Sequence, residues 1–199
     1  MMVFSMRCYK KIKQLLCACL LAWLATSAGI ANSGLNIKSA ELIAADDAYL
    51  LNADVDIKLS QEIEQAIIKG FELNFLVEFQ LVAPRKYWFD DEIRTVTQRV
   101  ILSYHALSRQ FLVVRGDQQK SFAKLTDAED ELSRIRDLRL FHKTELDKDG
   151  PYKAILLMRL DYKKLPKSLP ADADGSTDWK MTSQRYEWVP AFVKPESNK

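Results

Sequence analysis

The chain has 199 residues, with 29 Lys and Arg against 27 Asp and Glu, two His and three Cys. At 48% hydrophobic and 28% charged its composition is ordinary for a globular domain, which excludes a disordered, collagen-like or coiled-coil chain. A net charge of +2 carries no argument for nucleic acid or for an anionic membrane surface, and two histidines do not build a His-rich metal centre.

Charge and cysteine are unevenly placed. Residues 1–31 hold Arg7, Lys10, Lys11 and Lys13 and no acid, then an apolar run from Leu15 to Ile30, then small residues at Ala25, Ser27, Ala28, Gly29 and Ala31. A basic start, an apolar core and a small-residue cleavage site predict a secretory signal cut after Ala28 or Ala31. Leu15 to Ala31 is 17 residues, at the lower edge of the roughly 17–25 that span a bilayer, so an uncleaved N-terminal anchor is the alternative. Cys8, Cys17 and Cys19 all fall in this segment. Leu16-Cys17-Ala18-Cys19 resembles a lipoprotein box, but the apolar core continues past it. Without residues 1–31 the domain has 168 residues, no thiol and a net charge of −2.

Strands are predicted next, at 37–45 and 50–59. In the second, Leu51, Ala53, Val55, Ile57 and Leu59 oppose Asn52, Asp54, Asp56 and Lys58. Ser60 predicts the cap of a helix running to Lys69, with Ile63, Ala66 and Ile67 on one face and Gly70 as its stop. A strand over 71–82 sets Phe71, Leu73, Phe75, Val77, Phe79 and Leu81 on one face. Strands over 93–104 and 110–115 follow. Thr126 and Glu129 have capping-box spacing for a second helix to Asp137, burying Leu132 and Ile135. After a strand at 138–146, Asp147-Lys148-Asp149-Gly150-Pro151 reads as a hairpin turn into a strand at 152–162. Pro166, Pro170 and Gly175 mark a loop over 165–177. A last strand is expected at 178–188, and a frayed tail from Pro195.

One buried and one wet face per strand is the antiparallel signature. The expected fold is therefore α+β and strand-rich: an antiparallel sheet or sandwich with two short helices, one domain over 32–194. A strand–strand–helix–strand–strand pattern occurs twice, which raises an internal duplication.

Arg85-Lys86-Tyr87-Trp88-Phe89-Asp90-Asp91-Glu92 is the most unusual stretch, with three aromatics between two bases and three acids. Arg85, Tyr87, Trp88, Asp90 and Asp91 are binding candidates, because Trp, Tyr and Arg dominate recognition hot spots. The competing reading is a structural corner with solvated charges. Tyr104, His105 and Arg109, in a turn between strands, are the other binding candidates. A catalytic role for His105 needs a nucleophile and an orienting acid, for which Ser103, Ser108, Asp90 and Asp91 are the conceivable sources; no nucleophile elbow surrounds them. His142, in phase with Leu138, Leu140 and Leu146, reads as a satisfied, partly buried histidine. Asp46-Asp47, Asp54/Asp56 and Asp172/Asp174 match no calcium-loop spacing and read as solvated faces. No phosphate loop, zinc-protease motif or dinucleotide fingerprint is present, so no catalytic residue, no metal and no cofactor is expected.

Several phrases in order carry a resemblance: Lys69-Gly70-Phe71-Glu72-Leu73 into Val77-Glu78-Phe79-Gln80-Leu81, Arg85 to Asp90, Leu102 to Phe111, Ser121-Phe122 before Leu125, Leu132-Ser133-Arg134-Ile135, Leu160-Asp161 with Leu165-Pro166-Lys167, and Asp178-Trp179. Over about 36–190 the chain resembles an uncharacterised proteobacterial envelope family, domain of unknown function 4390. It departs near the end, where Ser183-Gln184-Arg185 replaces the family's Ser-x-Trp and Trp188 stands further on. The resemblance implies an exported protein and carries over no catalytic residue. Family genes sit beside a membrane sensor kinase of the nitrogen-regulation type and an RNA methyltransferase.

The resulting expectation is a non-enzymatic periplasmic binding or interaction module, accessory to an inner-membrane sensor kinase. The alternatives, in order, are a carrier of a small apolar ligand and a hydrolase. The expected partner is an envelope protein, with no nucleic acid, and with membrane contact only if the N-terminal segment is uncleaved.

Overall fold

The computed structural model describes residues 34–87, 89–146, 151–164 and 179–191, all within the unit Asn32–Lys199. The expected N-terminal signal, the loop over 165–177 and the tail from Pro195 lie outside the described residues. Two antiparallel sheets carry the chain. β1 (Gly34–Ala44), β2 (Ala48–Lys58) and β7 (Arg134–His142) form a three-stranded sheet in the order β1-β2-β7. β3 (Leu73–Ala83), β4 (Asp91–His105), β5 (Gln110–Arg115), β6 (Gln118–Phe122), β8 (Lys153–Leu160) and β9 (Tyr186–Trp188) form a six-stranded sheet in the order β6-β5-β4-β3-β8-β9. Helices α1 (Gln61–Ile68) and α2 (Leu125–Ser133) complete it. The expected α+β antiparallel architecture is what forms.

The alternation seen in the sequence is what makes the core. Leu73, Phe75, Val77, Phe79 and Leu81 of β3 are fully buried, and register sets them beside Leu102 and Val100 of β4 and Leu160, Met158, Leu156 and Ala154 of β8. Each such side chain stabilises the fold by about 1.5–3 kcal/mol relative to exposure. Leu51, Ala53 and Val55 of β2 and Ile135 and Phe141 of β7 join the same cluster from the smaller sheet. α2 touches strands of both sheets, and β1 approaches β8.

α1 forms as its sequence dictates. The Ser60 hydroxyl accepts the Ile63 N–H at 3.4 Å, and Ile63, Ala66 and Ile67 are buried. Gly70, at φ +94°, turns the chain out, with Gly70 N–H donating to Ile67 O and Phe71 N–H to Ala66 O. This is a Schellman ending, which needs a left-handed residue where glycine has no Cβ to clash.

The second half departs from expectation in several places. α2 ends at Ser133, and its N-cap is Lys124 without a side-chain cap, so Thr126 and Glu129 form no capping box. Ile135 is buried, but from β7, which begins at Arg134 because pairing with β2 claims the backbone there. Residues 143–145 form a 3₁₀ turn instead of the end of a strand. Strand β6, absent from the sequence reading, is joined to β5 by the two-residue turn Gly116-Asp117, with Gly116 at φ +54°. The stretch 178–188 is extended as β9 only over Tyr186–Trp188, with an isolated bridge from Thr182 to Arg159.

The expected hairpin turn at Asp147–Gly150 lies outside the described residues; β7 and β8 themselves belong to different sheets and do not pair. The order strand–strand–helix–strand–strand does run twice. The pairings differ: β3 and β4 are neighbours, whereas β7 and β8 are not.

Candidate functional site

Pro84 ends β3, since it offers no N–H to a ladder. The chain then turns through residues 84–90 into β4, and local ion pairs fix this hairpin tip. The Arg85 guanidinium pairs with Asp91, and the Arg85 N–H donates to Asp90 Oδ1 at 3.3 Å. Lys153, at the start of β8, reaches Asp90 at 3.2 Å and Glu187 of β9 at 3.3 Å. Its hydrogen bonds to Asp90 and then Glu187 hold the ammonium above the usual lysine range. The Lys86 ammonium lies 5.7 Å from the Tyr87 ring centroid, within cation–π reach.

Arg85, Asp90 and Asp91 are therefore tied down, while the aromatics are not. Tyr87 is 88% exposed and Phe89 95%. Val189, just beyond the β9 residue that pairs with Ala154, is also exposed and lies at the same end of the sheet. Phe89 helps line an open depression of about 450 Å³ together with Gln80, Val82 and Ile155 and the charged residues Asp90, Glu92, Lys153, Arg185 and Glu187. These residues come from β3, β4, β8 and β9, from the turn that carries Phe89 and Asp90, and from Arg185 just before β9.

Of the sequence candidates here, Arg85, Tyr87, Asp90 and Asp91 fall together, and Trp88 lies outside the described residues. Phe89 and Lys153 were not singled out as candidates. Phe89 stood in the same aromatic run and could have been included. Lys153 is 63 positions beyond Asp90, and only β3–β8 pairing brings it there.

The second candidate group sits at the opposite end of β4, separated from the first by roughly 45 Å of strand at about 3.3 Å per residue. Tyr104 packs on Phe111 at 4.9 Å between centroids and belongs to the core edge. His105 pairs with Gln110 and closes the 106–109 turn, in which Arg109 adopts φ +55°. His105 Nδ1 lies 2.9 Å from Ser108 Oγ and accepts the Ser108 N–H at 3.3 Å, so the ring caps its own turn. Asp90 and Asp91, at the other end of β4, do not reach His105. Ser103 shares an outer-face pair with Leu112.

His142 is exposed and not partly buried as expected. The bulges in β7 shift its register against β2, and Phe141 takes the buried position. Asp47 partners the His142 ring at 3.4 Å and Arg139 at 2.8 Å. The paired carboxylates of β2 are held by surface cations: Asp56 by Lys38, and Asp54 by Arg136, whose hydrogen bond keeps that carboxyl below its usual range. Among the described residues no group of three or more His, Cys, Asp or Glu is placed to hold a metal.

Near the C-terminus, the Ser183 hydroxyl accepts the Met158 N–H at 3.0 Å, and the Ser183 N–H donates to Met158 O. Trp179, 1% exposed, donates its indole N–H to Glu62 of α1 at 3.0 Å. Ser183 is thus a buried ladder residue, and Trp188 packs edge-on against Phe79.

No curated protein and no solved structure matches the chain. A family model described as Domain of unknown function (DUF4390) matches residues 32–189. With the greater part of its length matched, the chain belongs to the DUF4390 family.

Proposed function

We propose that this protein is a non-enzymatic binding module of the cell envelope, facing the periplasm, whose recognition surface is the β3–β4 hairpin tip. The observation that carries the reading is the near-complete exposure of Tyr87 and Phe89 on a tip where Arg85 pairs with Asp91 and Asp90 with Lys153. Exposing two large aromatic rings forgoes the stabilisation their burial would bring, and aromatic side chains on rigid supports are the usual anchors of recognition. The signal-like N-terminus supports an envelope location, and a membrane sensor kinase is one candidate partner.

The test places a photoreactive phenylalanine at position 87 in the full chain and irradiates intact cells. The reading expects discrete adducts, protein or lipid, at 87 and none at Leu107, which is equally exposed at the far end of β4. It further expects Tyr87→Ser with Phe89→Ser to keep native stability within about 0.5 kcal/mol, as exposed positions do. Absence of adducts at 87, or unfolding of the double variant, overturns it.

A further inference from the structure

Resting on that reading of the tip, we infer that the surface it recognises is a phospholipid headgroup layer, into which Tyr87 and Phe89 insert. Three observations point to lipid over a folded protein. First, Tyr87 and Phe89 project from the turn joining the two longest neighbouring strands of the large sheet, and they are 88% and 95% exposed. A protruding tip of this kind enters a soft interface without needing a matching concavity. Aromatic rings are enriched at that interface, where an apolar body and a polar edge are both satisfied.

Second, the charges nearest the rings are arranged for entry. Asp91 pairs with Arg85, and Asp90 shares Lys153 with Glu187, so each of the two carboxylates beside the rings is held by a cation. Lys86 has no ion-pair partner among the described residues and lies beside the Tyr87 ring, where its ammonium would meet lipid phosphates. Glu92 is set back on the outer face, its carboxylate accepting the Thr95 hydroxyl at 2.6 Å. Third, Val189 is exposed at the same end of the sheet, which widens the apolar contact. Leu107, at the other end of β4, cannot share the plane and serves as an internal control.

The full chain, reconstituted into vesicles of phosphatidylethanolamine and phosphatidylglycerol, tests this with a photoreactive phenylalanine at position 89 or at position 107. Lipid adducts at 89 in clear excess over 107 are the expected result. Lys86→Ala should lower the yield at 89 by up to about fivefold in these vesicles, the effect of one basic residue at an anionic surface, and little in pure phosphatidylcholine. Equal yields at 89 and 107, or none at 89, overturn the inference. If cells at the same time give protein adducts at 87, the tip is a recognition surface for a protein and only the lipid assignment fails; if cells give none, the recognition reading fails with it.

Discussion

Arg115 illustrates how one side chain can join two elements. It ends β5 on the core side, where its guanidinium donates to Glu131 O and Arg134 O, both at 2.6 Å, and to Leu132 O at 3.3 Å. These carbonyls close α2, where a helix has acceptors without intrahelical partners and a partial negative charge. Burial pushes the guanidinium pKa down, an effect that the nearby Glu131 carboxylate opposes. Arg115→Met keeps most of the apolar stem and removes the donors, so it should cost about 1.5–3 kcal/mol, the range for hydrogen bonds to a charged group. Denaturant unfolding measures this, and Arg115→Lys should recover only part, since an ammonium lacks the planar fork. Nothing in Val114-Arg115-Gly116-Asp117 announces this role: read along the chain, Arg115 is a cation before a turn. The aromatic run of the tip is the opposite case. Its composition alone marked it as unusual, and folding added its exposure and its clamp to Lys153.

At the scale of elements, local signals succeeded where the chain needed nothing distant. Ser60 and Gly70 bound α1 because both caps are made within the helix's own turns. They failed at α2, where pairing of Arg134 and Ile135 with Asp54 and Ala53 overrides helical periodicity. Strand β6 went unseen because Gln118-Gln119-Lys120-Ser121 has no apolar alternation; the Gly116-Asp117 turn was its available sign. α2 also holds a carboxyl in an unfavourable setting. Burial, then the neighbouring Glu64 and Asp130 charges, raise the Glu129 pKa. The folded state therefore holds this proton to higher pH than the unfolded chain does. The stability tied to it is full below the ordinary glutamate pKa and is lost as pH rises through the raised value. Glu129→Gln should accordingly stabilise the protein at pH 7, and the gain should vanish as pH falls below the ordinary glutamate range. Thermal melts of the two proteins across pH 3–8 check both the sign and the window.

The described residues share one core between two sheets, with α2 against both. Leu132 is fully buried where they meet. Leu132→Ala should cost about 2–5 kcal/mol and lower the stability of both sheets together. Far-UV dichroism and tryptophan fluorescence, whose four reporters include Trp179 and Trp188 beside the six-stranded sheet, should still give coincident transitions; separated transitions would show that the sheets unfold independently. The amino-acid sequence by itself determined the strand-rich antiparallel class, most strand positions and the family, because side-chain alternation and family phrases are local properties of the chain. Tertiary structure alone decided which strands pair, that β7 and β8 part into different sheets, and that Lys153 meets Asp90 and Glu187 while His105 stays at the far end of β4. Those outcomes depend on contacts between residues far apart in the chain, set by which apolar faces can be buried together, and no local pattern encodes them.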